Sequence, residues 1–188
     1  MMLKKMGGKV GALLVAGGLA VSLLGGAGTA NAAAKDDLII VNKHYNKLMY
    51  LQNGYVKQES KVGTGRSWEL TPVGHFKVEN KVVKRPYYKK NIPGGAPNNP
   101  LGARWIGLSV PGSSASRSGN VYAIHGNSNP ASIGGYVSSG CIRMYNNEVI
   151  KLYDQVQKGT PVAVTNSEKS FQELAKIYGY KIKGWKTK

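Results

Sequence analysis

Residues 37–62 read DLIIVNKHYNKLMYLQNGYVKQESKV, and their reading decides the fold. Residues 37–42 form a short apolar run, and residues 48–52 (LMYLQ) form another, with 44–47 as a hairpin-like link. Asn53-Gly54 is a strong turn signal, and residues 55–62 alternate well enough to pair back on the preceding run. Three short strands joined by tight turns make a meander. They do not make a strand–helix–strand unit.

The same rhythm continues outward. Gly63-Thr64-Gly65 breaks the meander, Thr71-Pro72-Val73-Gly74 is a turn, and residues 75–83 read as a strand with Phe76 and Val78 on one face. Residues 84–102 differ, with Pro86, Pro93, Pro97 and Pro100 among Gly94, Gly95, Asn98 and Asn99. A loop of that length inside a compact domain is usually a lid or a binding loop. Tyr87, Tyr88 and Trp105 nearby point to a packed loop that meets substrate. Residues 104–110 and 120–124 read as strands, separated by a Ser/Gly-rich loop at 111–119. The first helix is expected from Asn146 as N-cap to Gly159 as stop. Residues 161–165 give a last strand. A second helix is expected over 167–178, with Ser167 as cap and Gly179 as terminator. Strands dominate and turn signals come at short intervals. The expected fold is therefore mainly β, a single sandwich-like or barrel-like domain with one or two short helices near the C-terminus.

The N-terminal stretch has the layout of a secretory leader. Lys4, Lys5 and Lys9 precede an apolar run at 10–24, and small residues follow up to Ala34. Ala30-Asn31-Ala32 fits the small-x-small cleavage pattern, and 32–34 offers a second cut. The expected organisation is a leader over 1–34, a catalytic domain over 35–166 and a C-terminal helix with a basic tail over 167–188. The formal charge is +17. The leader holds three lysines and no acid, so the remaining chain keeps +14. Such a charge attracts polyanions. Export and the lack of a nucleic-acid motif exclude nucleic acid and favour anionic wall polymers. The expected location is secreted, extracytoplasmic and wall-associated.

Cys141 is the single cysteine, beside three histidines, His44, His75 and His125. A lone thiol in an exported chain is incidental or reactive. No metal-ligand cluster and no cofactor motif is visible. His125 ends an apolar strand and is followed by Gly126. Sixteen residues later Cys141 follows Ser138-Ser139-Gly140, and Arg143 lies two beyond. A thiolate is the working nucleophile, and an imidazole within reach can remove its proton. Gly140 permits a tight turn, and backbone N–H groups at Gly140 and Cys141 can face a developing oxyanion. Arg143 can grip a substrate carboxylate with two parallel hydrogen bonds.

The order His125-Gly126-Asn127-Ser128-Asn129-Pro130, then Ser138-Ser139-Gly140-Cys141-Ile142-Arg143-Met144, resembles the signature of YkuD-type L,D-transpeptidases. Thr71-Pro72-Val73-Gly74-His75-Phe76 resembles the family's TPxGxF turn, and the likeness runs over residues 37–166. The resemblance implies a mainly β fold and acyl transfer on peptidoglycan stem peptides. In that chemistry a cysteine is acylated at the L-centre of a diamino acid, D-alanine leaves, and an amine of a neighbouring stem attacks. The product is a cross-link between two diamino acids, which matters for wall organisation and cell shape. By position, Cys141 is the nucleophile, His125 the base and Gly126 the carbonyl that orients it. Gly140 and Cys141 form the oxyanion hole. Arg143, Ser139, Tyr122 and Trp105 are candidate substrate contacts. Trapping by carbapenem-type β-lactams is also implied. Many members read Ser-His-Gly-Cys where this chain has Ser139, which places the base on His125 alone. Hydrolysis of the same acyl-enzyme, a non-catalytic wall-binding role and simple polyanion binding are the alternatives.

Overall fold

The computed structural model describes residues 35–184; the expected leader lies outside the described residues. The chain opens with β1 (Leu38–Asn42), β2 (Lys47–Gln52) and β3 (Tyr55–Lys61), the meander expected from its turns. β4 (Thr64–Gly65), β5 (Gly74–Val83), β6 (Arg104–Leu108) and β7 (Ala123–His125) follow. Then come β8 (Tyr136–Ser138), β9 (Ile142–Arg143) and β10 (Pro161–Thr165). Eight strands form one curled sheet in the order β3-β2-β1-β10-β5-β6-β7-β9, and β4 with β8 makes a two-stranded annex. Most neighbours are antiparallel, but β1–β10, β7–β9 and β4–β8 run parallel.

Alternation along the strands builds two cores. Ile39, Val41, Leu48 and Tyr50 join Ile106, Ile124 and Ile142 on one face, under α2 (Asn146–Gln155). Leu38, Ile40, Met49 and Leu51 join Leu174 and Ala175 on the other, under α3 (Phe171–Ile177). Because both faces of β1 are covered, all five of its residues are buried, which explains its unbroken apolar run. β3 is one edge, and it exposes Tyr55 together with Lys57, Glu59 and Lys61, whose charges discourage further strand pairing.

Several expected boundaries move, each for a tertiary reason. The strand expected at 120–124 is Ala123–His125, because Asn120 N–H bonds the Ala115 carbonyl and holds the chain in a turn. That turn follows α1 (Ser114–Arg117), a short helix capped by Ser113 inside the expected loop. Thr64 and Gly65 pair with β8 as well as ending the meander. α2 is entered from Tyr145, and Asn146 is its first helical residue, so Asn146 is not the cap. Its side chain is engaged elsewhere: Oδ1 accepts from Ala103 N–H at 3.0 Å and Asn127 N–H at 3.2 Å, and Nδ2 donates to Asn127 O at 2.9 Å. α2 stops at Gln155, before Gly159, because Val156 drops fully buried into the core in an extended conformation. α3 starts at Phe171 with Ser170 as cap, in a capping box with Glu173. Ser167 is instead tied by its backbone to the Asn42 side chain at the end of β1.

Asn146 thus bridges α2, the start of β6 and the chain leaving β7. Asn146→Ala removes three hydrogen bonds, some of which water replaces. It is expected to lower the unfolding free energy by about 1–2 kcal/mol in urea titration. An unchanged midpoint would show that the bridge is not structural.

Candidate active site

β7 and β9 pair in parallel, with Ile124 opposite Ile142 and His125 opposite Arg143. Residues in register on adjacent strands share a face, and so do residues two apart on one strand. Ile124, Ile142 and Met144 therefore enter the core. His125, Cys141 and Arg143 project from the opposite face and line a common cavity of about 440 Å³. Trp105 and Ser139 line the same cavity, as do Arg85, Tyr88, Lys89 and Leu101 from the 84–102 loop and its end. A larger cleft of about 580 Å³ lies against the start of α3 and is lined by residues such as Lys47, Glu59 and Glu173. It holds no cysteine or histidine, so size does not mark the reactive place.

The turn leading to Cys141 is organised by Ser138, whereas the sequence pointed to its neighbour Ser139. The Ser138 hydroxyl donates to the Cys141 carbonyl at 2.6 Å and accepts from Gly140 N–H at 3.0 Å. Gly140 has φ of +129°, a region costly for any residue with a Cβ, and an added Cβ would lie 2.9 Å from the Tyr122 ring. Tyr122 accordingly sits under this turn, packed on the core. Ser139 accepts a hydrogen bond from Arg66 Nη1 at 3.2 Å. The Thr71 turn abuts Gly140, whose Cβ would lie 3.7 Å from Thr71 N. That turn is fixed by buried Lys43, whose ammonium donates to the carbonyls of Trp68, Leu70 and Thr71 at 2.7, 2.9 and 2.9 Å.

His125 is held on two sides. Its Nδ1 lies 2.6 Å from the Gly126 carbonyl, which can only accept, so Nδ1 carries the proton and Nε2 is left as the basic nitrogen. The ring stacks on Trp105 with centroids 5.7 Å apart and planes 11° apart. Trp105 is anchored by Nε1–H to the Gly119 carbonyl at 3.0 Å. Gly126 is required because a Cβ there would collide with Asn146 Oδ1. Asn127 then bonds Asn129 and Ser132 and secures the crossover loop.

The electrostatics favour neutral groups. Burial drives the His125 pKa down to about 4; carbonyls of Gly126 and Leu101 oppose that fall, and the Arg143 charge adds to it. Burial pushes the Cys141 thiol up. The Ala123 backbone hydrogen bond and the charges of Arg143, Arg85 and Lys89 pull it back. Cys141 is partly exposed at the rim, yet its sulfur lies among enough protein atoms to feel that burial. The thiol donates to the Val121 carbonyl at 3.4 Å. Arg143 Nε is buried without a hydrogen-bond partner. The other two histidines lie apart from this group. His75 packs edge-on against Tyr178 and His44 against Tyr45. Among the described residues, no three His, Cys, Asp or Glu side chains gather as a metal site.

The chain is similar to known proteins of one family. A putative L,D-transpeptidase of Bacillus subtilis, YqjB, is 44% identical over 146 residues, covering 77% of this chain and 80% of that protein. An Enterococcus faecium L,D-transpeptidase, solved as a cysteine-to-serine mutant, aligns with a TM-score of 0.54 and 25% identity over 69% of this chain and 50% of that one. The catalytic domain of the E. faecium enzyme, solved acylated by ertapenem, shares the fold at a TM-score of 0.51 and 24% identity, over 70% of this chain and 98% of that domain. Residues 36–164 match the family model of the YkuD L,D-transpeptidase catalytic domain, and the chain belongs to that family.

Proposed function

We propose that this domain is a peptidoglycan L,D-transpeptidase acting through a Cys141 acyl-enzyme. The observation that carries the reading is the shared face of β7 and β9, which delivers one thiol, one imidazole and one unpaired guanidinium to a single cavity.

The steps follow from the groups present. Rotation about the Cys141 Cα–Cβ bond releases the thiol from the Val121 carbonyl and turns it toward His125 Nε2. The imidazole takes the thiol proton as sulfur attacks the carbonyl carbon at the L-centre of the donor's diamino acid. The oxyanion is met by backbone N–H groups of the nucleophile turn. Gly140 N–H is bound to Ser138 Oγ at rest, so its share depends on that hydroxyl giving way. The tetrahedral centre collapses, the C–N bond breaks, and D-alanine leaves with the proton from His125. A thioester remains. The amine of a neighbouring stem then attacks it, His125 removes a proton from that amine, and the thiol is regenerated as the new amide forms. No cofactor enters, because each step exchanges one acyl bond for another. Water in place of the amine gives L,D-carboxypeptidase activity from the same intermediate.

Arg143 receives a donor carboxylate, with Trp105 and Ser139 on the walls around it. Trp105 also fixes the imidazole plane. Tyr122 acts indirectly, by supporting Gly140. We also assign the protein to the extracytoplasmic wall after removal of residues 1–34. N-terminal sequencing of the secreted form should start just after residue 32 or 34, and a retained residue 1 would reject the assignment. The +14 charge would then hold the domain to anionic wall polymers. That retention should weaken as salt rises, and salt-insensitive binding would exclude it.

Incubation with a tetrapeptide donor is expected to leave a thioester on the intact chain, its mass raised by the donor less D-alanine. Cys141→Ala should abolish that adduct and any stem dimers. A carbapenem offers the same thiol a strained acyl donor, so a stable adduct at Cys141 is expected, and an unchanged mass would oppose the assignment. Turnover should fall as pH drops through about 4, where His125 protonates, and rise toward alkaline pH as thiol deprotonation becomes easier. A flat neutral-to-alkaline profile would contradict this scheme.

The same shift predicts stability. The unfolded chain protonates its histidine near 6.5 while the folded His125 stays neutral to about 4. Lowering pH across that window therefore favours unfolding. The wild type should lose about 3 kcal/mol more than His125→Asn between those limits, measured by urea titration at each pH. Equal losses would mean that the imidazole is not held neutral.

A further inference from the structure

The cavity carries more positive charge than a single substrate carboxylate needs. Arg143 faces it from β9, Arg85 and Lys89 face it from the 84–102 loop, and no aspartate or glutamate lines it. All three charges act on the Cys141 thiol. The ion pairs among the described residues, Lys77–Glu79 and Lys183–Asp36, involve none of the three. Like charges gathered around one cavity repel each other, and each favours an anion there.

Arg85 is built into its place. Its guanidinium lies 4.2 Å over the Trp105 ring, the same indole on which His125 stacks. Nη1 donates to Asn120 Oδ1 at 2.9 Å, which fixes the plane and leaves the other N–H groups of the fork to a ligand. The backbone is clamped too, since buried Asn99 donates to the Arg85 and Pro93 carbonyls, both at 3.0 Å. Tyr87 and Ile92 bridge across the loop tip that carries Lys89. A surface arginine serving only solubility has no reason to be held at two points beside the catalytic imidazole.

We propose that Arg85, assisted by Lys89, binds a second carboxylate of the donor stem, so that the site selects stems whose diamino acid carries its own free carboxylate over stems in which that group is amidated or missing. The proposal rests on the transpeptidase reading above. There Arg143 takes one carboxylate of the donor, and the diamino acid's far centre is the next group along the stem able to bring another. A planar fork pairs with a carboxylate through two parallel hydrogen bonds, which a carboxamide cannot reproduce.

The test uses the purified chain and two synthetic tetrapeptide donors that differ only in a free carboxylate or a carboxamide at that centre. Acyl-enzyme formation is followed by intact mass. The free-carboxylate donor should acylate at least about tenfold faster, the size of one charge-assisted hydrogen bond. Arg85→Gln should bring the ratio of rates close to one, Arg85→Lys should restore only part of it, and Lys89→Gln, an exposed change, should lower it partway. Equal rates for both donors in the wild type would overturn the proposal without any variant, while still supporting the acyl-enzyme. A ratio that survives Arg85→Gln unchanged would overturn it as well. Absence of an adduct from either donor would reject the transpeptidase reading and this proposal with it.

Discussion

Two short strands running parallel, β7 and β9, set the position of every reactive group. Parallel neighbours cannot be joined by a tight turn, so the chain must leave at Gly126 and travel back before Cys141 can lead into β9. That crossover is why the motif is long and polar. Its backbone groups need partners, and Asn127, Ser132, Ser138 and Asn146 supply them. A slip of one residue would send Cys141 and Arg143 into the core and bring Ile142 into the cavity. The alternation Cys141, Ile142, Arg143, Met144 therefore states the register and the chemistry together.

The electrostatic consequence of that placement is a resting site with neither charge formed. Burial weakens the imidazole as a base and the thiol as an acid, so proton transfer between them is uphill. Each pKa unit of mismatch corresponds to about 1.4 kcal/mol. Arg143, Arg85 and Lys89 act against this by stabilising the thiolate, and Arg143 also disfavours an imidazolium. An anion bound in the cavity would offset the Arg143 charge, which adds to the burial that keeps His125 neutral.

The strands of the meander were legible because local turn chemistry and period-two burial agree over residues 37–62. His125 and Cys141 stood out because their spacing and neighbours form a long local motif, and the structure brings both to one cavity. Other parts depended on partners far away in the chain. Asn146 has the residue type of a cap, yet Ala103 and Asn127 claim its side chain, and that tertiary demand overrides helix propensity. Lys43 was not singled out in the sequence, because the three carbonyls of the 68–71 turn that gather around it are far away in the chain. Arg85 sits in a proline-rich loop with no periodic signal, and only the approach of Trp105 and Asn120 shows its direction. Ser138 could have been found from sequence, since a hydroxyl three residues before a strained nucleophile turn is suited to tie it. Its neighbour Ser139 drew attention by differing from the family pattern.

That difference at Ser139 changes the charge of the rim more than the chemistry of the centre. A hydroxyl stands where many relatives carry an imidazole, and it is held by Arg66. The cavity is thereby left with one imidazole, His125, and with a further cation beside its wall. A second titrating ring at the rim would gain or lose charge near neutral pH and alter the field at Cys141. The departure thus leaves His125 as the one imidazole of a cavity whose other ionic groups are the cations Arg143, Arg85 and Lys89 around Cys141.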